Sequence, residues 1–154
     1  MISFRRELLC EVVEEVQPLL HEHWTELTKN KDIAILDPMW QEYAALEQMG
    51  RFVIYTARDD GALVGYAAYF IQKHIHYAGM TTGTNDVLFL RKDARRGTTG
   101  LRLLDYCEAQ LKTLGVQKLT YHIKFSMDWR CLLHRRGYAD EEVMCAKVLC
   151  ENAS

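Results

Sequence analysis

The chain has 154 residues, with 19 Lys plus Arg against 21 Asp plus Glu, a formal charge of −2, and 49% hydrophobic residues. That length suits one domain around one core, and the composition is that of a folded globular protein rather than a disordered one. The near-neutral balance removes the basic excess that drives non-specific phosphate binding, so nucleic acid is not the default partner.

The longest uncharged apolar stretch, Ala62 to Ile71, is broken by Gly65 and falls well short of the roughly 20 residues a membrane helix needs. The amino-terminal Met1-Ile-Ser-Phe-Arg-Arg-Glu7 lacks an apolar run with a small-residue cleavage site, so no secretory signal is read there. Five cysteines, an odd number without a C-x-x-C pair, read as reduced thiols, four of them among apolar neighbours as core residues. The expectation is a cytoplasmic protein with no membrane span.

In chain order, Leu9, Val12, Val13, Val16, Leu19, Leu20, Trp24 and Leu27 recur at helical spacing, predicting an amphipathic helix over Leu8 to Lys29, kinked or divided at Pro18. A second helix is expected from Met39 to Met49, capped by Gly50. The period then changes. Arg51 to Ala57 and Ala62 to His76 read as two strands of a hairpin around the turn Arg58-Asp-Asp-Gly61. Thr81-Thr-Gly-Thr-Asn85 reads as loop and Asp86 to Leu90 as a short buried strand. After a loop from Arg91 to Gly100, Leu103, Leu104, Cys107, Leu111 and Leu114 mark a helix ending at Gly115. A strand over Lys118 to Phe125, a short helix over Trp129 to Arg136 and a last strand over Val143 to Cys150 complete the series. The expected architecture is one α+β domain spanning 1–154, an α/β sandwich with helices flanking a mixed, mainly antiparallel sheet.

The stretch with the most chemistry joins the buried strand through Arg91-Lys-Asp-Ala-Arg-Arg-Gly-Thr-Thr-Gly100 to a helix. A basic, glycine-containing turn before a helix offers backbone N–H groups at the positive end of the helix dipole, where a phosphate gains hydrogen bonds and favourable field. Arg95 and Arg96 add charge at the rim, Gly97 and Gly100 permit close backbone approach, and Thr98 and Thr99 carry hydroxyl donors. A plain basic turn capping a helix is the alternative reading of the same residues.

Here the chain resembles the GNAT superfamily of acyl-CoA-dependent N-acetyltransferases, whose signature is a strand, then [RQ]-x-x-G-x-[GA], then a helix. Arg95 takes the first position and Gly100 the last, while the middle glycine falls on Thr98 with a glycine one residue earlier at Gly97. The order of elements agrees over nearly the whole chain, with Asp59-Asp-Gly-Ala-Leu-Val-Gly-Tyr66 similar to the family's turn and Gly-Tyr step, and Leu133-His-Arg-Arg-Gly-Tyr138 similar to its closing motif. Glu22-His-Trp24, His76-Tyr77 and Asn85-Asp86 also resemble phage-encoded acetyltransferase-like proteins.

The resemblance implies acetyl-CoA as co-substrate. Its pantetheine arm would pair with Leu88, Phe89 and Leu90, its diphosphate would sit on Arg95, Arg96, Gly97, Thr98, Thr99, Gly100 and Leu101, and its thioester would point to a gap between the fourth and fifth strands. It further implies transfer to a primary amine of a small-molecule or protein acceptor, with a homodimer paired through the last strand left open. At the family's position for a tyrosine acid stands Leu133, with His134 adjacent as a substitute, and Ser126 stands where an asparagine commonly contacts the cofactor.

Direct attack needs a base for the ammonium proton and an acid for the leaving thiolate. Asp86, at the entry of the fourth strand, is the first choice for base, on the strand face of Leu88 and Leu90 by period-two alternation; a strand-end cap is its structural alternative. His74 and His76 would share one face of the third strand beside it, with His76 a second base or an acidic-substrate contact. Tyr121 and Tyr77 are alternative acids. Trp24, Trp40 and Tyr43 read as core or as the wall of an acceptor pocket. His21 and His23, two apart on a helix, point apart and make no zinc site. A rival reading keeps the fold without chemistry, as a CoA-binding or protein-interaction module.

Overall fold

The computed structural model describes residues 1–149, which divide into two compact units, Met1–His122 and a second from Ile123 onward. The first unit is a five-stranded sheet in the order β1 (Ile2–Glu7), β2 (Phe52–Asp59), β3 (Ala62–His74), β4 (Tyr77–Leu90) and β5 (Lys118–Thr120). All neighbours are antiparallel except β4 and β5. The helices are α1 (Leu9–Leu27), α2 (Trp40–Gln48) and α3 (Thr99–Thr113).

Alternation along the strands sends successive side chains to opposite faces, and both faces are covered. Phe52, Ile54, Tyr66, Ala68 and Phe89 meet Val12, Val16 and Leu19 of α1 together with Trp40 and Tyr43 of α2. Val53, Tyr55, Ala67, Tyr69 and Ile71 meet Leu103, Cys107 and Leu111 of α3. Each helix offers one stripe at spacings of three and four, and each buried large apolar side chain contributes about 1.5–3 kcal/mol. The sandwich expected from the sequence is therefore formed.

Pro18 neither kinks α1 into two helices nor ends it. Pro18 and Glu14 both lie on the exposed face, so the Glu14 carbonyl that loses its intrahelical donor stays open to solvent. The β2–β3 turn narrows to Asp60 and Gly61, both at positive φ (47° and 91°), the two-residue geometry that matches strand twist. Two segments expected otherwise are strand. Residues 81–85 are not loop but the middle of β4, paired to β3 on one side and, at Thr82, Gly83 and Thr84, to β5 on the other. Ile2–Glu7, read only for a signal peptide, is an edge strand from Ile2↔Asp59 to Glu7↔Ile54.

The fifth strand stops at Thr120 rather than Phe125, since only three of its residues find a partner on β4. Among the described residues the second unit holds a 3-10 turn (Phe125–Met127) and α4 (Arg130–His134), with Gly137 at φ 87° beyond it. The expected strand over Val143 to Cys150 is not formed over residues 143–149, where Val143 and Met144 are exposed and no strand among the described residues of this unit supplies ladder bonds; Cys150 lies outside the described residues. Against the expectation of core thiols, among the described residues Cys107 is buried and Cys10, Cys131 and Cys145 are exposed. Among the described residues no helix is long and apolar enough to cross a membrane.

Candidate active site

Two irregularities in the sheet make the site. On the β3 side of β4, Ala68 pairs with Val87 but Tyr69 pairs with Asn85, so Asp86 is an extra residue in β4, a bulge. On the other side, β5 pairs only with Thr82 to Thr84, so from the bulge to Leu90 this edge of β4 has no strand beside it among the described residues. The gap between fourth and fifth strands opens at the bulge.

The bulge changes where Asp86 points. Strict alternation puts it with Leu88 and Leu90, which pack toward α3; instead it lines a cavity on the α1/α2 side, the side of Val87 and Phe89. The extra residue breaks the period at that position. Asn85 spans the irregularity by donating its side-chain N–H to the Val87 carbonyl at 2.8 Å, which occupies an acceptor the disrupted ladder leaves over.

The cavity has a volume of about 30 Å³ and is walled by Val16, Trp40, Tyr43, Ile54, Tyr66 and Asp86 among others. The Tyr43 hydroxyl donates to Asp86 Oδ2 at 3.0 Å. Burial pushes the Asp86 carboxyl above the ordinary carboxylate range, and the hydrogen bond from Tyr43 offsets only part of that. Burial, then the charge of Asp86, holds the Tyr43 hydroxyl protonated well above neutral pH, so it remains a donor. A partly desolvated carboxylate with one oxygen held by a phenol is suited to accept a proton on the other. Trp40 and Tyr43 therefore wall this cavity, whereas Trp24 serves the α1–α2 connection, its indole N–H donating to the Ala34 carbonyl at 2.8 Å.

The turn after β4 is folded as a helix entry. Gly97 sits at φ 57°, where a side chain is strained, so the glycine displaced from the family pattern has its own conformational role; Thr98 is an ordinary helix-preceding residue at φ −105°. The side chains are more committed than the sequence suggests. Arg95 donates Nε to the Leu90 carbonyl at 2.7 Å and both terminal nitrogens to Glu26 of α1 at 2.7 and 2.8 Å, and its guanidinium lies over the Phe89 ring. It clamps the turn to α1 instead of standing free at the rim. The Thr99 hydroxyl donates back to the Arg96 carbonyl at 3.0 Å. Arg96 remains 74% exposed, 3.3 Å from Asp59. No acceptor among the described residues takes the amides of Gly97, Thr98, Gly100 and Leu101, which are the donors a helix start leaves for an anion.

His76 is not on β3. The strand ends at His74, and His76 occupies the hairpin tip with Tyr77, roughly 30 Å along β4 from Asp86 at about 3.3 Å per residue. The tip brings His74, His76 and Tyr77 rings together, not a base to the bulge. Tyr121, by contrast, directly follows β5 where it leaves β4, and its hydroxyl is 2.9 Å from that of Tyr69. His134 and Ser126 belong to the second unit, where His134 Nε2 is 2.9 Å from Asp140 Oδ1. Cys107, buried beside Tyr69, has its thiol pushed up to about 12 and is not a nucleophile. Sequence reading gave no site role to Tyr66, although it closes the Gly-Tyr step, to Asn85 as a bulge clip, or to Glu26 as the partner of Arg95.

A helix-flanked sheet that parts between a bulged fourth strand and a parallel fifth, with a glycine turn leading into a helix, is the GNAT acyl-CoA N-acyltransferase fold. The Acetyltransferase (GNAT) family profile matches residues 14–138, and the chain belongs to that family, which makes it an acyl-CoA-dependent N-acetyltransferase by class. Solved structures agree on the fold at low identity. An aminoglycoside acetyltransferase from an uncultured soil metagenomic sample superposes with a TM-score of 0.73 at 14% identity, covering 97% of each chain. Glucosamine-6-phosphate N-acetyltransferase from Arabidopsis thaliana gives 0.73 at 12%, covering 97% of this chain and 99% of that one. A ribosomal-protein-alanine N-acetyltransferase from Brucella melitensis biovar Abortus gives 0.70 at 18%, covering 98% and 100%. Comparison with curated proteins by sequence found no match.

The family generally uses acetyl-CoA, and the residues present fit it. Four amides at a helix start suit a diphosphate. The strand-free edge at Leu88, Phe89 and Leu90 suits an amide-bearing arm, with the Leu90 carbonyl excepted because Arg95 occupies it.

Proposed function

We propose that the protein transfers the acetyl group of acetyl-CoA to a primary amine by direct attack, with Asp86 as general base. The observation that carries this reading is a carboxylate raised by burial at the bulge where the sheet opens. Acetyl-CoA supplies an acetyl group activated as a thioester. The amides of Gly97, Thr98, Gly100 and Leu101 bind the diphosphate, and the edge from Leu88 to Leu90 orients the arm toward the bulge. Asp86 takes one proton from the acceptor's ammonium, which frees the nitrogen lone pair for the bond to the acetyl carbon while the carbon–sulfur bond breaks. Tyr121, which directly follows β5, donates its proton to the leaving sulfur in place of the family tyrosine and is reprotonated by the second proton the nitrogen sheds as the amide forms, while Asp86 returns its proton to solvent. Such a donor supplies about 10² to 10⁴ in rate and positioning supplies more, so Leu133 in the usual acid position does not preclude transfer. The reaction suits a cytoplasmic enzyme with a small-molecule or protein amine as acceptor.

The test is release of CoA thiol from acetyl-CoA with aminoglycosides, amino sugars and peptides bearing a free amino terminus, the acceptor classes of the structural neighbours. Asp86→Asn is expected to lower kcat by about 10²- to 10⁴-fold with acetyl-CoA affinity retained. Unreduced turnover removes Asp86 as base. The second reading, a CoA-binding or protein-interaction module, draws on the commitment of Arg95 to Glu26 and Leu90 and on Leu133. Acetyl-CoA binding without thiol release from any amine selects it.

A further inference from the structure

Tyr69 is 0% exposed in the α3-side core, and its hydroxyl lies 2.9 Å from that of Tyr121. The two rings stand nearly perpendicular, with centroids 6.1 Å apart. Their place in the sheet ties the pair to the site. Tyr69 pairs with Asn85 of β4, and Thr84 pairs with Thr120 of β5, so Tyr69, Asn85 and Tyr121 stand level across three chain segments, one residue before the bulge. Neighbouring strands are roughly 4.8 Å apart, so a side chain from β3 and one from the end of β5 reach each other only across β4. The hydroxyls therefore meet over the α3 face of β4, whereas Asp86 lies on the α1/α2 face. Base and acid approach the gap from opposite faces.

The direction of the bond follows from what surrounds Tyr69. Burial above all, then Cys107 and Tyr121, hold its hydroxyl well above the ordinary range, so it keeps its proton. The titratable groups packed around it are Tyr55 of β2, Cys107 of α3 and Tyr121 itself; beyond them, Glu108 lies near Cys107, and Arg6 and Tyr106 near Tyr55. The Cys107 thiol, pushed up to about 12 by burial, stays protonated, and sulfur is a weak acceptor. The Tyr55 hydroxyl has no partner among the described residues, so it does not receive the Tyr69 hydrogen. Were Tyr121 the donor, the Tyr69 hydrogen would be buried with only that thiol beside it among the described residues, a costly arrangement. Tyr69 thus donates and Tyr121 accepts, and the hydrogen of Tyr121 is not spent in that bond.

We propose that Tyr69 is a positioning residue for the acid, fixing Tyr121 through this hydrogen bond and stabilising the phenolate that forms when Tyr121 protonates the leaving sulfur. The inference rests on Tyr121 being that acid. The Tyr121 proton goes to sulfur as the carbon–sulfur bond breaks. The Tyr69 hydroxyl then holds the phenolate until the second proton shed by the nitrogen restores it, and Tyr69 keeps its own proton throughout. A hydrogen bond to a charged oxygen is stronger than one to a neutral oxygen, so this bond tightens as the sulfur leaves, the kind of interaction that raises kcat.

The experiment is kcat against pH for the wild type, Tyr69→Phe, Tyr121→Phe and the double variant, with thermal unfolding as the folding control. Tyr69→Phe keeps the ring and removes the donor. It is expected to lower kcat by about 10- to 100-fold and to move the basic limb of kcat to higher pH, while KM for acetyl-CoA and the acid limb are unchanged. In a Tyr121→Phe background the same change is expected to lower kcat no further, because Tyr69 acts through the Tyr121 hydroxyl; a residue that merely supports the fold would lower it in both. Full kcat in folded Tyr69→Phe, or an equal loss with and without the Tyr121 hydroxyl, overturns the positioning role and leaves Tyr121 as acid if Tyr121→Phe is slow. Full turnover by Tyr121→Phe overturns the acid itself, and the positioning role with it. Should Tyr69→Phe fail to fold, ¹³Cζ-tyrosine NMR of the wild type and Tyr121→Phe reads the bond from its other end: the Tyr69 resonance is expected to shift when its acceptor is removed, and an unmoved resonance overturns the proposal.

Discussion

Asp86 serves the proposed chemistry at the expense of the fold, and the sign of that expense is measurable. Its folded pKa lies above the unfolded one because of burial. The contribution to stability is therefore fully present below the unfolded pKa and is lost as pH rises through the folded value. At pH 7 the carboxylate is a net burden, and Asp86→Asn, whose amide oxygen still accepts from Tyr43, is expected to raise Tm while turnover falls. The gain should shrink toward zero by about pH 3, where the carboxyl is neutral in both states. A Tm lowered at pH 7 contradicts this account of the burial.

Gly100 and Arg95 show how far single residues were legible. A Cβ at Gly100 meets only Leu90 Cδ1 at 3.7 Å, ordinary contact, so the position tolerates a side chain sterically. Gly100→Glu is expected to fold with unchanged Tm and to lose acetyl-CoA binding by calorimetry, because a carboxylate then occupies the start of α3. Unchanged affinity contradicts the placement of the diphosphate. The glycine turn itself was legible because backbone needs are written locally. The fate of Arg95 was not, since Glu26 lies on α1 and becomes its neighbour only through the tertiary fold.

At the scale of elements, legibility followed the same division. The helices, apart from the break expected at Pro18, and the β2–β3 hairpin, apart from the end of β3 at His74 rather than His76, were read from periodicity and turn residues. Thr81-Thr-Gly-Thr-Asn85 was read as loop from its polarity, yet three of these residues have partners on both sides, and threonine fits a paired strand. The bulge at Asp86 left no local signal, so its face was assigned wrongly by simple alternation. One glycine was legible without its reason, a close approach at the end of β4. Gly65 pairs with Leu90, and a Cβ there stands 2.3 Å from Leu90 Cδ2 and 2.6 Å from the Phe89 carbonyl oxygen. Backbone oxygen in a sheet does not give way as a flexible side chain does. Gly65→Ala is expected to cost about 1–3 kcal/mol by overpacking and to weaken acetyl-CoA binding by displacing the end of β4. A variant with wild-type Tm and affinity removes that close approach as a constraint.

Over the whole first unit, a buried ion cluster ties edge strand, sheet and helix together. Arg58, 6% exposed, donates to Glu7 of β1 and Glu15 of α1 and to the Gly61 carbonyl. Burial pushes the Glu7 carboxyl up, but hydrogen bonds from Arg58, Thr56 and Arg5 outweigh it and leave it below the usual range; at Glu15 the hydrogen bond from Arg58 does the same. For such depressed carboxylates the stabilisation is present above the unfolded pKa, near 4.3, and is lost as pH falls through the folded values. Thermal unfolding followed from pH 6 to 2 is expected to show Tm falling most steeply below about pH 4. Arg58→Met should flatten that fall while costing about 1.5–3 kcal/mol at pH 7, since Glu7 then keeps only Thr56 and Arg5 as donors. The same slope in wild type and variant places the acid sensitivity elsewhere in the molecule.

Ligand linkage reads the whole site at once, because whatever binds only the folded state raises its stability. At a free concentration 100 times its Kd, a ligand adds about 2.7 kcal/mol, which for a chain of this size moves Tm by roughly 5–10 °C. Acetyl-CoA and CoA share both the diphosphate for the α3 entry and the arm for the open edge of β4, so both are expected to give this shift. NAD offers a diphosphate without the arm. If the edge from Leu88 to Leu90 contributes as proposed, NAD at the same concentration leaves Tm unchanged, and Gly100→Glu abolishes the shift with CoA. An equal shift with NAD assigns the binding to the turn alone and removes the fourth strand from recognition; no shift with any of the three removes acetyl-CoA as the co-substrate.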